Sequence, residues 1–352
     1  MRKYSTPYIL LLLSFFIIIT SCSEKEEKTE YTHAIPHNAT EVIAFNPQSL
    51  ATKAGLTPHS QQEFKEIQTL LNLLSRPEES GIDAESNAYL FKSPTLYYTA
   101  IAFKVTNLQK LHQQIEALAK EGICSIPQKT AGYRNAEIKD YGIGLAYNDG
   151  TLIAVYAGSS SEWQKLQSAI GLLMKQGSEN SIHTNSHFAS MLKQKGDIRL
   201  LTTPDSLPFD IRGVLNWPIG TQLMGYLHFE NGRIYGNIKQ ADFEGETYES
   251  NQPFHPQDSH ELQQAMNTMM RGYPYNIGFT PEELLTLTNL RALMQFTPDD
   301  PEVQSLYRLI QKIENMNVRG DKNCCNLTVV LQEKNTNALK QLIEFAKQFI
   351  DF

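Results

Sequence analysis

The stretch "IGLAYNDGTLIAVYAG", residues 143–158, constrains the fold of this chain more than any other. Two runs of strand character flank Asn148-Asp149-Gly150. Asp-Gly tolerates the positive φ angles that a tight hairpin turn needs, so the two runs are expected to pair antiparallel. A second hairpin signal, Asn231-Gly232, sits inside "TQLMGYLHFENGRIYGNIKQADFEG" (221–245). Further strands are predicted at 41–45, at 88–91 and in "CNLTVVLQ" near the end. The run "LYYTAIAFKV" (96–105) is apolar on both faces and reads as a central strand.

Single helices separate these strands. Ser60 with Glu63 forms a capping box for a helix whose inner face is Phe64, Ile67, Leu71 and Leu74. Asn107 caps a helix with Leu108, Leu111, Ile115 and Leu118 on one face, and Gly122 stops it. Ser161, Asp258, Thr280 and Asp300 each begin another; Pro281 at a first helical position strengthens the third. The last of these four is expected to turn Val303, Leu306, Leu309, Ile310 and Ile313 inward. A short helix is expected over 187–194. Strand-then-helix units recur at 102–122, 152–177 and 329–349. Internal duplication and ordinary β-α grammar account for that echo about equally. The predicted class is α+β: antiparallel sheets with helices packed on one face, with duplicated β-α units as one explanation. "TPDSLPFDIRGVLNWPIG" (203–220) is rich in Pro and Gly and has weak periodicity. It divides the body into domains at 35–205 and 206–352.

The chain begins with Arg2 and Lys3, then an apolar run from Tyr8 to Ile19. That run is too short for a hydrocarbon core needing about 20 residues. It reads as a secretory leader. Ile19-Thr20-Ser21-Cys22 resembles the bacterial lipobox, in which the cysteine is acylated and becomes the new N-terminus. The expected parse is signal peptide 1–21, acylated Cys22, and an acidic tether over 22–34. "SEKEEKTE" (23–30) is too polar to pack. Ser23 resembles the sorting choice for the outer membrane, and the acidic run resembles a surface-export signal. Anchorage is therefore expected through lipid at the outer membrane, facing the periplasm or the cell surface.

Removing Arg2 and Lys3 takes the formal charge from −7 to −9. A mildly acidic chain with no basic run longer than two residues is a poor binder of nucleic acid. Of four cysteines, Cys124, Cys324 and Cys325 remain beside the anchor. An exported compartment permits a bridge. Cys124 with Cys324 is the pair to test; the preferred alternative is three buried thiols acting as small hydrophobes.

Two stretches resemble a known family. Ile35-Pro36, Ala39, the strand ending at Phe45, Ser49-Leu50 and Lys53-Ala54-Gly55-Leu56 are similar to the opening of an uncharacterised family of lipoproteins from gut-type Gram-negative bacteria, a domain of unknown function. "NLTVVLQEKNTNALKQLIEF" (326–345) is similar to its closing strand and helix. The resemblance implies an anchored envelope protein and assigns no catalytic residue.

The search for chemistry gives no catalytic signature, metal site or cofactor site. His183 and His187 lie four apart, but the glutamate of HExxH is missing and Asn185-Ser186 favours a turn. His255 and His260 read as loop and cap. Gly142-Ile143-Gly144 precedes a hairpin rather than the helix that anion binding needs. Glu282-Glu283 and Asp299-Asp300 sit at helix starts, where negative charge suits the dipole. Arg319-Gly320-Asp321 reads as a turn. Tyr97, Tyr98, Tyr141, Tyr147, Tyr273, Tyr275 and Phe279 suit sheet faces or a partner surface. The expected role is non-enzymatic: binding, scaffolding or interaction, with an envelope protein as partner. An envelope hydrolase and a carrier of an apolar ligand are the alternatives.

Overall fold

The structure, a computed structural model, describes residues 29–55, 80–93, 98–156, 163–207, 217–244, 252–288, 290–297 and 300–347. It divides into two compact units, Met1–Lys193 and Gln194–Phe352. Cys22, the predicted 60–74 helix, Ser161 and Tyr97 lie outside the described residues.

The first unit carries strands β1 (Glu41–Phe45), β2 (Ala88–Lys92), β3 (Thr99–Lys104), β4 (Gln128–Thr130), β5 (Tyr133–Ile138), β6 (Ile143–Tyr147) and β7 (Thr151–Tyr156). Their order is β1-β2-β3-β7-β6-β5-β4, antiparallel throughout. The Asp-Gly hairpin joins β6 to β7. Asn148 Oδ1 accepts from the Gly150 and Thr151 amides at 3.0 and 2.8 Å, closing the turn. Helix α1 (Pro47–Ala54) is capped by Asn46 and stopped by Gly55, at φ 66°. Helix α2 (Leu108–Lys120) is capped by Asn107 and buries Leu111, Ile115 and Leu118. Helix α3 (Trp163–Lys175) follows β7, and α4 (Ser186–Leu192) is capped by Asn185.

This is the expected α+β antiparallel layering, here with a helix on each side. His112 of α2 meets the Tyr147 hydroxyl at 2.8 Å. Gly171 of α3 lies against the Tyr133 hydroxyl. Arg134, not Tyr133, is the cross-strand partner of Tyr147, so the two tyrosines occupy opposite faces. With both faces covered, Ile153 and Val155 are fully buried, and Ile101 is 2% exposed.

The chain enters this unit through a locked segment. Tyr31 is 1% exposed, and its hydroxyl donates to the Asn87 carbonyl at 2.6 Å. Gln176 Nε2 donates to the carbonyls of His33 and Ile35 at 2.7 and 3.1 Å. The Ile182 amide donates to Ile35 at 2.8 Å.

The second unit carries β8 (Ile198–Thr202), β9 (Leu223–Glu230), β10 (Arg233–Gln240), β11 (Tyr275–Phe279), β12 (Ile313–Gly320) and β13 (Cys324–Leu331). Its order is β8-β9-β10-β13-β12-β11, again antiparallel. Its helices are α5 (Ser259–Met270), α6 (Pro281–Leu287), α7 (Leu290–Phe296), α8 (Pro301–Gln311) and α9 (Ala338–Lys347). Strand β8 pairs with β9, so it groups with the second unit although it precedes the Pro/Gly-rich stretch. The helix begun at Asp300 ends at Gln311, and Ile313 opens β12 instead of continuing the helical face.

The two units share one topology. In each, a strand is followed by a hairpin pair, then a helix crosses to the far side of the sheet. A three-strand meander returns to pair with the second hairpin strand, and a closing helix follows. Thus β1-β2-β3-α2-β5-β6-β7-α3 matches β8-β9-β10-α5-β11-β12-β13-α9.

Candidate functional site: the half-open sheet of the second unit

The shared topology makes the units direct controls for one another. Strand β3 has four of its six residues buried, and β7 has four of six. Their counterparts β10 and β13 have none of eight and two of eight buried. On one face of the second sheet stand Phe229, Ile234, Val329, Met316 and Phe279; two rows further along come Leu200, Ile238 and Cys325. Helix α5 covers the β11–β12 side of this face: Ala265, Leu262 and Met269 pack on Tyr275, Ile277, Phe279 and Val318. Across β9, β10 and β13 the same face stays half-buried at Ile234, Ile238, Leu327 and Val329, and Leu227 is 37% exposed. Apolar side chains on central strands usually find a packed layer, and contiguous exposure of them marks an interaction surface.

The opposite face is polar. Its central positions are Tyr235, Asn237, Asn326, Thr328 and Asn317, all half-buried. This alternation explains why β12 escapes a hydrophobic reading: in "IENMNVRG" only Met316 and Val318 mark the apolar side between polar neighbours.

Local chemistry around this sheet is chiefly structural. Thr280 and Glu283 form a reciprocal capping box at α6, with bonds of 2.7 and 3.3 Å. His255 Nδ1 lies 3.1 Å from Glu283 Oε2, and Gln257 Nε2 donates to Oε1 at 3.1 Å. Burial opposes ionisation of Glu283, but the hydrogen bonds from Thr280 and His255 outweigh it and hold the carboxyl below its ordinary range. Thus His255 belongs to a buttressed cap, and Asp258 caps α5, accepting from the Glu261 amide at 2.8 Å. Asp197 is 8% exposed; its Oδ2 accepts from the Phe229 amide at 2.7 Å and lies 3.1 Å from His228 Nδ1. The other ring nitrogen of His228 faces the Glu230 carboxylate at 3.5 Å, not a hydroxyl or thiol. That arrangement orients the imidazole between two carboxylates and activates no nucleophile.

The remaining sequence candidates are placed as follows. Cys124, Cys324 and Cys325 are all free thiols in the structure. Each thiol has its own local setting: Cys124 Sγ lies 3.5 Å from the Ile115 carbonyl, and Cys324 Sγ lies 3.8 Å from Asp321. Burial pushes both thiols up to about 11. Burial and the neighbouring Cys325 push the Tyr275 hydroxyl far above the tyrosine range. His183 falls outside α4, because Asn185 caps the helix behind it; its Nε2 lies 2.5 Å from the Thr32 hydroxyl. Among the described residues no group of three His, Cys, Asp or Glu side chains could hold a metal. Gly142 closes a 3-10 turn at φ 61° and Gly144 lies in β6. Asp300 caps α8, accepting from Val303 at 3.2 Å; Asp299 lies outside the described residues. Arg319 and Gly320 end β12, and Asp321 accepts from the Asn323 amide at 2.7 Å, making the tripeptide a turn. Tyr147, Tyr275 and Phe279 are buried sheet residues, whereas Tyr141 and Tyr273 are 45% and 60% exposed. Nothing in the hydropathy pattern singled out the open sheet; the signal was the asparagine-rich alternation in β10, β12 and β13.

Among described residues no helix is long and apolar enough to cross a membrane. No curated protein matches the chain. Two solved structures, crystal forms I and III of TP0453, are similar at 10% and 11% identity. They cover 91% and 92% of this chain and 97% and 100% of their own, with TM-scores of 0.39 and 0.41. A family profile matches residues 31–247, and the chain belongs to that family, the Domain of unknown function (DUF4836).

Proposed function

We propose that this protein is an outer-membrane lipoprotein, acylated at Cys22, whose second unit is a non-enzymatic binding module. The observation that carries the reading is the contrast between two units of one topology. The first packs both faces of its sheet; the second leaves strands β10 and β13 only partly buried on both. An apolar carrier needs an enclosed pocket of several hundred Å³. One small apolar pocket among the described residues, between Leu90, Ile101, Ile143 and Tyr156, has about 20 Å³, room for about one water. An open sheet suits a partner that lies against it.

The anchor fits this role. Six residues separate Cys22 from Thr29, a reach of at most ~25 Å over the seven extended steps. The Tyr31–Ile35 lock then fixes where the tether leaves the first unit. Replacing Cys22 with Ala is expected to abolish incorporation of labelled palmitate and release the chain from the membrane fraction. Unchanged labelling overturns the placement. A photo-crosslinking residue at Leu227 is expected to trap a discrete envelope component, whereas one at exposed Lys129 of β4 does not. Equal patterns at both positions overturn the binding reading.

A further inference from the structure

We propose that the polar face of the second sheet binds the glycan strand of peptidoglycan, laid across the β-strands. One row on that face runs Arg199, Tyr226, Asn237, Asn326, Arg319, Asn276, one residue from each of six adjacent strands in direct register. Neighbouring strands lie about 4.8 Å apart, so the row offers a hydrogen-bonding group at each step of a line about 24 Å long. A linear polysaccharide presents hydroxyls and acetamides at a similar repeat.

The chemistry of the row suits that ligand. Each amide can donate and accept in one plane. Asn237 Nδ2 donates to Asn326 Oδ1 at 2.9 Å, which aligns the two amides into a ladder. The Nδ2 of Asn326 is buried and has no acceptor within the described residues, so the accessible groups of the row are those of its neighbours. Beside the row, Asn317 Nδ2 donates to Asn276 Oδ1 at 2.7 Å, and Thr328 and Tyr235 add hydroxyls. Two arginines stand in the row of a chain whose formal charge is −7. A guanidinium engages a carboxylate through paired hydrogen bonds, and peptidoglycan carries carboxylates on its lactyl-peptide branches. A protein partner would need a desolvated apolar anchor at the centre of its footprint, and two asparagines occupy the centre here. The matching row of the first unit, Ala44, Tyr89, Ala102, Ile153, Ala146 and Asn135, is buried and nearly all apolar. The polar row is therefore a property of the second unit and not of the topology.

The choice of peptidoglycan rests on the envelope placement; the contact itself does not, and an in-vitro assay separates the two. The mature full chain is mixed with purified sacculi and centrifuged. It is expected to pellet with them, and tetrameric N-acetylglucosamine, which lacks the carboxylates, is expected to compete weakly. Asn237→Ala with Asn326→Ala is expected to lower retention about tenfold. Arg319→Gln, at an exposed side chain, lowers it several-fold with the fold intact. A chain that stays in the supernatant with sacculi in excess overturns the proposal, and so does unchanged retention of folded Arg319→Gln together with the double variant. Failure of palmitate labelling in the unsubstituted chain would overturn the placement alone.

Discussion

Truncating one isoleucine in each unit tests the half-open sheet directly. Strands β3 and β10 hold the same place in the shared topology. Ile101 of β3 is 2% exposed, and Ile238 of β10 is half-buried. Ile101→Ala removes buried carbons and leaves a cavity, so it is expected to cost about 2–5 kcal/mol. For Ile238→Ala the lost transfer energy of three carbons would be ~2.4 kcal/mol if fully buried. Partial exposure cuts that to roughly 1.5–2 kcal/mol, and solvent access removes the cavity penalty. The two tryptophans separate the readouts, since Trp163 lies in α3 and Trp217 in the second unit. Trp217 is 6% exposed and donates to the Lys322 carbonyl at 2.9 Å, so its fluorescence reports that unit's packing. Urea unfolding is followed in Trp217→Phe for the first unit and in Trp163→Phe for the second. A cost for Ile238→Ala as large as that for Ile101→Ala would mean a packed second sheet, and the site assignment would fall.

Glu283 gives the second unit an acid limit. Its folded pKa is depressed, so its stabilisation is present above the unfolded value of 4.5 and lost as pH falls through the folded one. Glu283→Gln is expected to flatten stability against pH below 4.5 in circular-dichroism melts, while a persistent acid slope assigns it to other carboxylates. The thiols of Cys124 and Cys324, raised to about 11, are expected to resist iodoacetamide at pH 8 in the folded chain and react after unfolding. Rapid labelling of either in the native state contradicts the burial. A Cβ on Gly320 would stand 2.1 Å from the Cys324 carbonyl and 2.8 Å from the Tyr275 hydroxyl. Gly320→Ala is therefore expected to lower the melting temperature of the second unit by several degrees; an unchanged melt would show that the β12–β13 turn relaxes freely.

Local grammar was readable wherever one residue type carries one mechanism. Asn107, Asp258, Thr280 and Asp300 cap the helices they were expected to cap, and both Gly-containing hairpins join the strands flanking them. Strand β12 was misread because its apolar residues alternate with Asn, Glu and Arg, and Ile313 falls in phase with the preceding helical face. Pairing order was out of reach for a different reason. The echo between 102–122 and 329–349 matches β3-α2 with β13-α9, yet in the topology β13 corresponds to β7. The equivalent of 329–349 is thus 152–177. A strand followed by an amphipathic helix looks alike in either place, and only the cross-strand pairings distinguish them.

Those pairings also show how the two units differ. A polar row on central strands forgoes the burial that Ile153 and Tyr89 provide in the first unit. Such a row costs stability, an expense that a role in recognition accounts for. Replacing both Asn237 and Asn326 by Val removes a mutually bonded pair without stranding either partner, which is near neutral for a hydrogen bond. It also installs residues better suited to a pleated surface, a gain of some tenths of a kcal/mol each. The double valine variant is therefore expected to unfold at equal or higher urea concentration, with Trp217 as reporter, while losing retention on sacculi. Loss of stability by more than about 1 kcal/mol would instead make the amide ladder part of what holds the second sheet together.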